Sequence, residues 1–374
     1  MQSLSPLIVT DKFADLPDPK EMNTQTAGHR VERAEIASIY NLPLMDLIGR
    51  ANAVHRAHHN PTEVQVCVLL SIKTGGCPED CAYCSQSARY NTAVDAQALM
   101  PVDEVLQSAR TAKASGATRF CMGAAWREVR SGPQFDRVLE MIRGVAAEGL
   151  EVCCTLGMVT PEQAVAMKEA GLHAYNHNLD TSAAHYNEVI HTRTYEDRLK
   201  TLAAVRDAGI SVCCGGILGL GETDDDRIDL LHTLVNLPEP PESVPVNRLV
   251  AIDGTPLEGA PPVSVWSMLR MIATARILIP SAMVRLSAGR LEMTEAEQAL
   301  CFTAGANSIF AGDKLLTTPN PATDRDARML ATLGLTPRPA YANPSAESDC
   351  HSQKPAAEGS CQSGQPCCET LLVR

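Results

Sequence analysis

The chain has 374 residues, 45% of them hydrophobic, and a formal net charge of −12, which suits one α/β barrel or two ordinary domains. No run of Lys or Arg favours nucleic acid as a partner, and no stretch of about 18 uninterrupted apolar residues marks a membrane span. Residues 1–21 carry Asp11, Asp15, Asp18 and Glu21 and lack both the basic start of a signal peptide and the Arg-rich look of a transit peptide, so a cytoplasmic protein is expected. In chain order, residues 42–58 have helical apolar spacing through Leu44, Leu47, Ile48 and Ala51 and are expected to cap the lower end of a barrel. Strand-like runs then alternate with helical ones. Strands are expected at 64–72, 119–124, 151–156, 174–179, 211–218, 244–252, 283–287 and 308–311. Helices are expected at 102–114, 134–147, 161–170, 195–208, 224–236, 265–278 and 294–304. Eight such units of about 30 residues predict a (β/α)8 TIM barrel of the α/β class, with a doubly wound open sheet as the alternative.

Fourteen cysteines fall in short-spaced groups. In a large chain without an export signal that pattern favours metal ligation or catalysis over disulfides. Cys67 and Cys301 are read as packing thiols. After about Pro339 the composition turns to Ser, Gln, Pro, Gly and Ala, with Cys350, His351, Cys361, Cys367 and Cys368. Such a segment buries little apolar surface and is expected to be disordered alone. Three regions follow: an N-terminal extension (1–41), a barrel domain (42–338) and a Cys-containing flexible tail (339–374). The tail's thiols either bind a metal, feed iron and sulfur toward the barrel, or are incidental to a solvated segment.

The loop after the first strand reads SIKTGGCPEDCAYCSQS. Cys77, Cys81 and Cys84, at x3 and x2 spacing, suit three irons of a [4Fe–4S] cube. With no fourth Cys nearby, one iron stays open, and the amino and carboxylate groups of S-adenosylmethionine can chelate it. Tyr83 lies between two of these ligands and can flank the adenine. A zinc knuckle is the structural alternative and would need a fourth protein ligand. Farther on, Cys121, Cys153 or Cys154, and Cys213 or Cys214 lie on the second, third and fifth strands. Strand alternation turns only one of each vicinal pair inward. Three inward thiols can share a [2Fe–2S] cluster, and Arg285, in the apolar run MVRLS, needs an anionic partner there. The alternative is that these cysteines pack and Arg285 pairs with a carboxylate. Asn176, Asn178 and Asp180 share one side of the fourth strand. Asp180 suits ribose hydroxyls, and the two Asn, with Asn247, suit a ureido or carboxamide group. The run GGILGLGE (215–222) is a weak dinucleotide fingerprint, but it offers a close backbone approach to an adenosine around Ile217. His173, His177, His185 and His191 lack zincin spacing and are read as surface or hydrogen-bonding groups.

The runs CPEDCAYCSQS, RFCMGAAWR, CTLG, YNHNLDTS, GGILGLGET, ESVPVN, VRLSAGR and AGANSIFAGDKLLTTPNP together resemble the biotin synthase family of radical S-adenosylmethionine enzymes, over residues 42–335. The resemblance implies a homodimeric TIM barrel that inserts sulfur into dethiobiotin and consumes sulfide from a sacrificial [2Fe–2S] cluster. It implies Cys77, Cys81 and Cys84 as [4Fe–4S] ligands, and Cys121, Cys153, Cys213 and Arg285 as [2Fe–2S] ligands. Cys154 and Cys214 become the outward neighbours. It further implies Asn178 and Asp180 beside the S-adenosylmethionine ribose, and Asn176, Asn178 and Asn247 around the dethiobiotin ureido ring. Thr317 and Thr318 match a site for the substrate carboxylate. A flavodoxin- or ferredoxin-type electron donor and iron–sulfur assembly proteins are the expected partners. Guanidinium is normally protonated and has no lone pair, so Arg285 either binds iron deprotonated or acts as a hydrogen-bond donor. Two other readings share the cluster loop. Another radical S-adenosylmethionine enzyme need not use Cys121, Cys153 and Cys213, and a non-catalytic iron–sulfur protein needs no ribose or ureido site.

Overall fold

A computed structural model describes residues 30–341 of the chain. The strands are β1 (Glu63–Lys73), β2 (Arg119–Ala124), β3 (Glu151–Thr155), β4 (Ala174–Asn176), β5 (Ser211–Cys213), β6 (Gly216–Leu218), β7 (Ser243–Arg248), β8 (Met283–Leu286) and β9 (Ser308–Ala311). Each pairs in parallel with the next around the ring, β5 and β6 both lying against β7. β9 returns to β1 with Val66 opposite Ile309 and Cys67 opposite Phe310. That ladder closes the barrel and excludes the open doubly wound sheet.

The helices are α1 (Arg33–Tyr40), α2 (Leu44–His58), α3 (Val102–Ala114), α4 (Pro133–Ala147), α5 (Pro161–Glu169), α6 (Tyr186–Val189), α7 (Tyr195–Asp207), α8 (Asp224–Val235), α9 (Val265–Leu278), α10 (Glu295–Thr303) and α11 (Thr323–Thr332). Four of them start on a threonine capping box. Thr160, Thr194, Thr223 and Thr294 each accept the N–H three residues on, whose own side chain reaches back. Two otherwise orphaned backbone donors are satisfied at each start. α9 buries ten of its fourteen residues, because α2 and α1 cover its outer face. A helix apolar all round must be enclosed in this way. Asn52 of α2 also reaches the carbonyl of Thr303 at the end of α10.

Three predicted strands are clearly shorter than the sequence suggests, one of them being 244–252, which ends at Arg248. The 174–179 run leaves the ladder after Asn176, and 211–218 is split into β5 and β6. The split faces Pro245, which has no N–H to donate. Gly215 lies so close that a Cβ there would sit 2.0 Å from the Pro245 carbonyl oxygen. Beyond β9 the chain forms a small hairpin, β10 (Lys314–Leu315) with β11 (Thr318–Pro319), then α11, then β12 (Thr336–Pro337), which pairs with the start of β1. None of these was expected. Residues 1–29 and the Cys350, His351, Cys361, Cys367 and Cys368 segment lie outside the described residues. Among the described residues, no helix is long and apolar enough to cross a membrane.

Candidate functional site

Cys77, Cys81 and Cys84 occupy a tight loop at the C-terminal end of β1, the end where barrel enzymes build their sites. Gly75 makes the exit from the strand. It sits at φ 67°, and a Cβ would lie 2.7 Å from the Asp95 carbonyl, so only glycine fits. The loop is folded on its own backbone. Cys77 N donates to Gln86 O (2.9 Å), Ala88 N to Cys77 O (2.7 Å) and Cys84 N to Cys81 O (2.9 Å). It is also bolted to the segment after α6. The buried Glu79 accepts from Arg127 Nη1 at 2.9 Å and from the Thr192 hydroxyl. Asp80 accepts from the backbone N–H of His191 and of Thr192, both at 3.0 Å. Burial pushes all three thiols up, Cys84 to about 12, so metal loading must displace protons. Arg193 Nη2 lies 3.9 Å from Cys81 Sγ, placing a cation beside the future thiolates. Among the described residues no three His, Cys, Asp or Glu side chains converge on a point that would hold a metal ion. A cube puts each thiolate on a different iron, a wider spacing than one zinc ion would need.

Deeper in the barrel, Cys121 and Cys153 face inward and pack with Cys67 and Phe310, whereas Cys154 and Cys214 face the outer core. Cys213 Sγ receives Arg285 Nη1 at 3.4 Å and Asn176 Nδ2 at 3.3 Å. Arg285 is fully buried. Its Nε donates to Ser308 Oγ (2.9 Å) and its Nη2 to Gln65 Oε1 (3.2 Å), and it lies 4.8 Å from the centre of the Phe310 ring. Burial opposes the Arg285 charge, but the thiols of Cys67, Cys213, Cys121 and Cys153 around it hold its pKa above the ordinary value. Without a cluster the guanidinium donates to Cys213 and is not paired with a carboxylate. Beneath it, Glu151 Oε2 accepts from Arg119 Nε (2.8 Å) and from Gln65 Nε2 (3.0 Å). Glu151 pairs with Arg119 and reaches Arg285 only through Gln65, leaving a surplus positive charge in a dry interior. A [2Fe–2S] core carrying two positive charges and three thiolates has one net negative charge, so the donor set and its surroundings fit such a group.

The polar residues gather at the mouth. Asp180 holds φ 68°, a left-handed backbone that turns its carboxylate over the cavity. Its Oδ2 accepts from Tyr83 OH and from Arg198 Nη2, both at 2.6 Å. Arg198 also donates to Tyr186 OH (2.8 Å) and to the Asn178 carbonyl. Asn178 Oδ1 accepts from Asn176 Nδ2 (3.1 Å) and from the N–H of Gly215 (3.2 Å). Asn247 ties Gly216 O to Ala288 N. Ile217 N donates to Asp180 O at 2.8 Å. The Thr317 and Ser85 hydroxyls are 2.8 Å apart, and the Thr318 hydroxyl bonds Leu315 O.

A single cavity of about 320 Å³ runs between these groups. Cys77, Cys81, Tyr83, Cys84, Asp180 and Ile217 line it, as do Asn176, Asn178, Asn247, Thr317, Thr318, Cys121, Cys153 and Arg285. Of the predicted site residues only Cys213 is not in its wall, and it touches two residues that are. His177 corrects the sequence reading. It is buried, its Nε2 has no partner, and burial followed by Arg198 and Arg193 drives its pKa far below the imidazole range. The sequence also gave no sign of Gln65, Arg119, Glu151, Ser308, Arg193 and Arg198, because each matters through a partner distant in the chain. Cys67 was read as packing, yet it lies among the inward thiols. Cys301, in the outer core, does pack.

Comparison with known proteins agrees with this geometry. Residues 71–234 match the model of the Radical SAM superfamily, and residues 245–336 match the Biotin and Thiamin Synthesis associated domain. The biotin synthase of Cytophaga hutchinsonii is 65% identical over 314 residues, 84% of this chain and 93% of that protein. The mitochondrial biotin synthase of Arabidopsis thaliana is 59% identical over 319 residues, 85% and 84% of the two chains. Among solved structures, methylornithine synthase (PylB) superposes with a TM-score of 0.69 at 19% identity, covering 83% of this chain and 95% of that one. That likeness speaks to the fold alone. With a closed barrel, a three-thiol loop over its mouth and relatives this similar along most of their length, the chain belongs to the biotin synthase family, radical S-adenosylmethionine enzymes that work with S-adenosylmethionine and iron–sulfur groups.

Proposed function

We propose that the two thiol sets serve one reaction, sulfur insertion into dethiobiotin, with Cys77, Cys81 and Cys84 holding a [4Fe–4S] cluster and Cys121, Cys153, Cys213 and Arg285 holding a [2Fe–2S] cluster. The observation that carries this reading is one cavity lined by Cys77, Cys81 and Cys84 and also by Cys121, Cys153 and Arg285. When bound, the clusters and S-adenosylmethionine supply the electron, the hydrogen-abstracting radical and the sulfur. The chain's own residues bind, orient and exclude water. Tyr83 flanks the adenine and donates to Asp180. Arg198 fixes the same carboxylate, whose other oxygen is left for the ribose. Ile217 and Asn178 complete that wall. Asn176, Asn178 and Asn247 hold the ureido ring, while Thr317 and Thr318 take the carboxylate at the other end of the substrate. The closed barrel wall keeps solvent from the reacting carbons.

The same reading includes a homodimer, a flavodoxin- or ferredoxin-type electron donor and assembly proteins that rebuild the consumed cluster. It keeps the division into an extension (1–41), a barrel domain (42–338) and a tail (339–374). It also includes a cytoplasmic location. The test is an anaerobic assay of the iron- and sulfide-reconstituted protein with reductant, S-adenosylmethionine and dethiobiotin. Biotin with about two 5′-deoxyadenosines per molecule is expected, one for each hydrogen abstraction. Deoxyadenosine without biotin would separate the radical chemistry from this substrate.

A further inference from the structure

Four thiols, not three, surround Arg285. Cys67 is completely buried and packs in one cluster with Cys121 and Cys153. Its Sγ lies 3.7 Å from Ser308 Oγ and 3.6 Å from Gln65 Oε1. Both of these atoms accept hydrogen bonds from Arg285, at 2.9 and 3.2 Å. The thiol is therefore one polar atom removed from the guanidinium on two sides. A second feature marks the pocket as built for an anionic group. Arg119 is buried beside Cys67 and Cys153 with its Nη1 unpartnered. A thiol that only filled space would need neither the hydroxyl and amide around it nor two cations nearby.

Resting on the cluster assignment above, we propose that Cys67 is a reserve ligand of the inner cluster, binding iron through Sγ when the position facing Arg285 is vacated. In the exchange an iron–nitrogen or iron–solvent bond is replaced by an iron–sulfur bond. The thiol proton is released as the thiolate binds, and no electron is transferred. Four cysteines then form the set that a [2Fe–2S] cluster ordinarily has.

The test is spectroscopic and analytical. Wild type, Arg285→Met, Cys67→Ser and the double variant are reconstituted with iron and sulfide. Protein-bound iron and sulfide are then measured with the visible absorption and paramagnetic resonance spectra. Arg285→Lys, which keeps a cation in the pocket, is carried in parallel in case the methionine variant does not fold. Single substitution at either position is expected to leave the iron content at the wild-type level, with the Arg285 variants shifted in spectrum toward four-cysteine coordination. The double variants, with methionine or lysine at 285, are expected to lose about two irons and two sulfides per chain, the content of one such cluster. Double variants that keep the iron and spectrum of the Arg285 single variants would overturn the proposal, as would Arg285 variants that fold but lose the cluster while Cys67 is intact. A wild-type protein that takes up only the outer cluster would instead remove the assignment on which the proposal stands, and the proposal with it.

Discussion

Asp180 and Arg198 form an ion pair almost sealed from solvent, with side chains 2% and 3% exposed. Removing one partner leaves the other charge buried and unpaired, which costs about 3–5 kcal/mol. Asp180→Asn keeps the volume but removes the anion, so Arg198 is left with only Tyr186 and a carbonyl. The variant is expected to unfold at clearly lower denaturant and to bind S-adenosylmethionine at least tenfold more weakly once its clusters are loaded. Urea titration and equilibrium dialysis read the two effects separately, and unchanged affinity would remove Asp180 from the ribose site. At this scale the sequence spoke clearly wherever chemistry is carried by spacing, as in the loop thiols, or by alternation, as in the inward Cys153 beside the outward Cys154. It was silent on Cys67. Whether a lone thiol packs or joins a cluster depends on Cys121 of the neighbouring strand and on Ser308 across the barrel closure, and no local pattern encodes either.

At the scale of elements, the cluster loop is held less by its own turns than by its attachment to residues 191–193. Glu79 is the hinge of that attachment, with a side chain 3% exposed and bonded to both Arg127 and Thr192. Hydrogen bonds to a charged group contribute about 1.5–3 kcal/mol each, and Glu79→Gln removes the anion that both donors share. The barrel should survive, since none of its ladders includes residue 79, while the three thiols lose their fixed separation. The expected outcome is normal far-ultraviolet circular dichroism with at least half of the outer-cluster iron lost. Full iron content would mean that the backbone bonds around Cys77 suffice. Element identity was well legible where apolar spacing was strong. Every barrel strand was found, as were the helices that threonine caps begin. It failed where tertiary contacts decide: the interruption between β5 and β6 is made by Pro245 on another strand, and α11 has a charged, weakly apolar sequence that only docking onto Arg290 and the barrel makes helical. Its Asp326 forms a buried pair with that arginine.

For the molecule as a whole, closure was the feature the sequence left open, because the β1–β9 ladder joins residues more than 240 positions apart. The helical cover outside that closure carries a consequence for acid stability. Arg276 of α9 is completely buried and donates to the carbonyls of Pro280, Ala282 and Gly305, to Asn307 and to His59 Nε2, so no carboxylate offsets its charge. Burial, and then Arg276, pushes His55 down to about 4 and His59 to about 3. His55 Nε2 and His59 Nδ1 are buried without a partner, so a proton added at either of these atoms finds no acceptor. An unfolded chain protonates such histidines near pH 6.5, whereas the folded chain does not until far lower pH. The unfolded state therefore binds more protons between about pH 6.5 and the folded values. Stability is full above that range, falls as pH drops through it, and levels off only below about pH 3. Two groups shifted this far should together remove about 2 kcal/mol between pH 7 and pH 5.5. Urea unfolding followed by circular dichroism at those two pH values measures the loss. His55→Gln with His59→Gln should remove about that much of the pH dependence, because glutamine binds no proton in either state, while the buried His177, shifted the same way, keeps its own share. A double variant that keeps the wild-type pH slope would place the acid sensitivity elsewhere in the barrel.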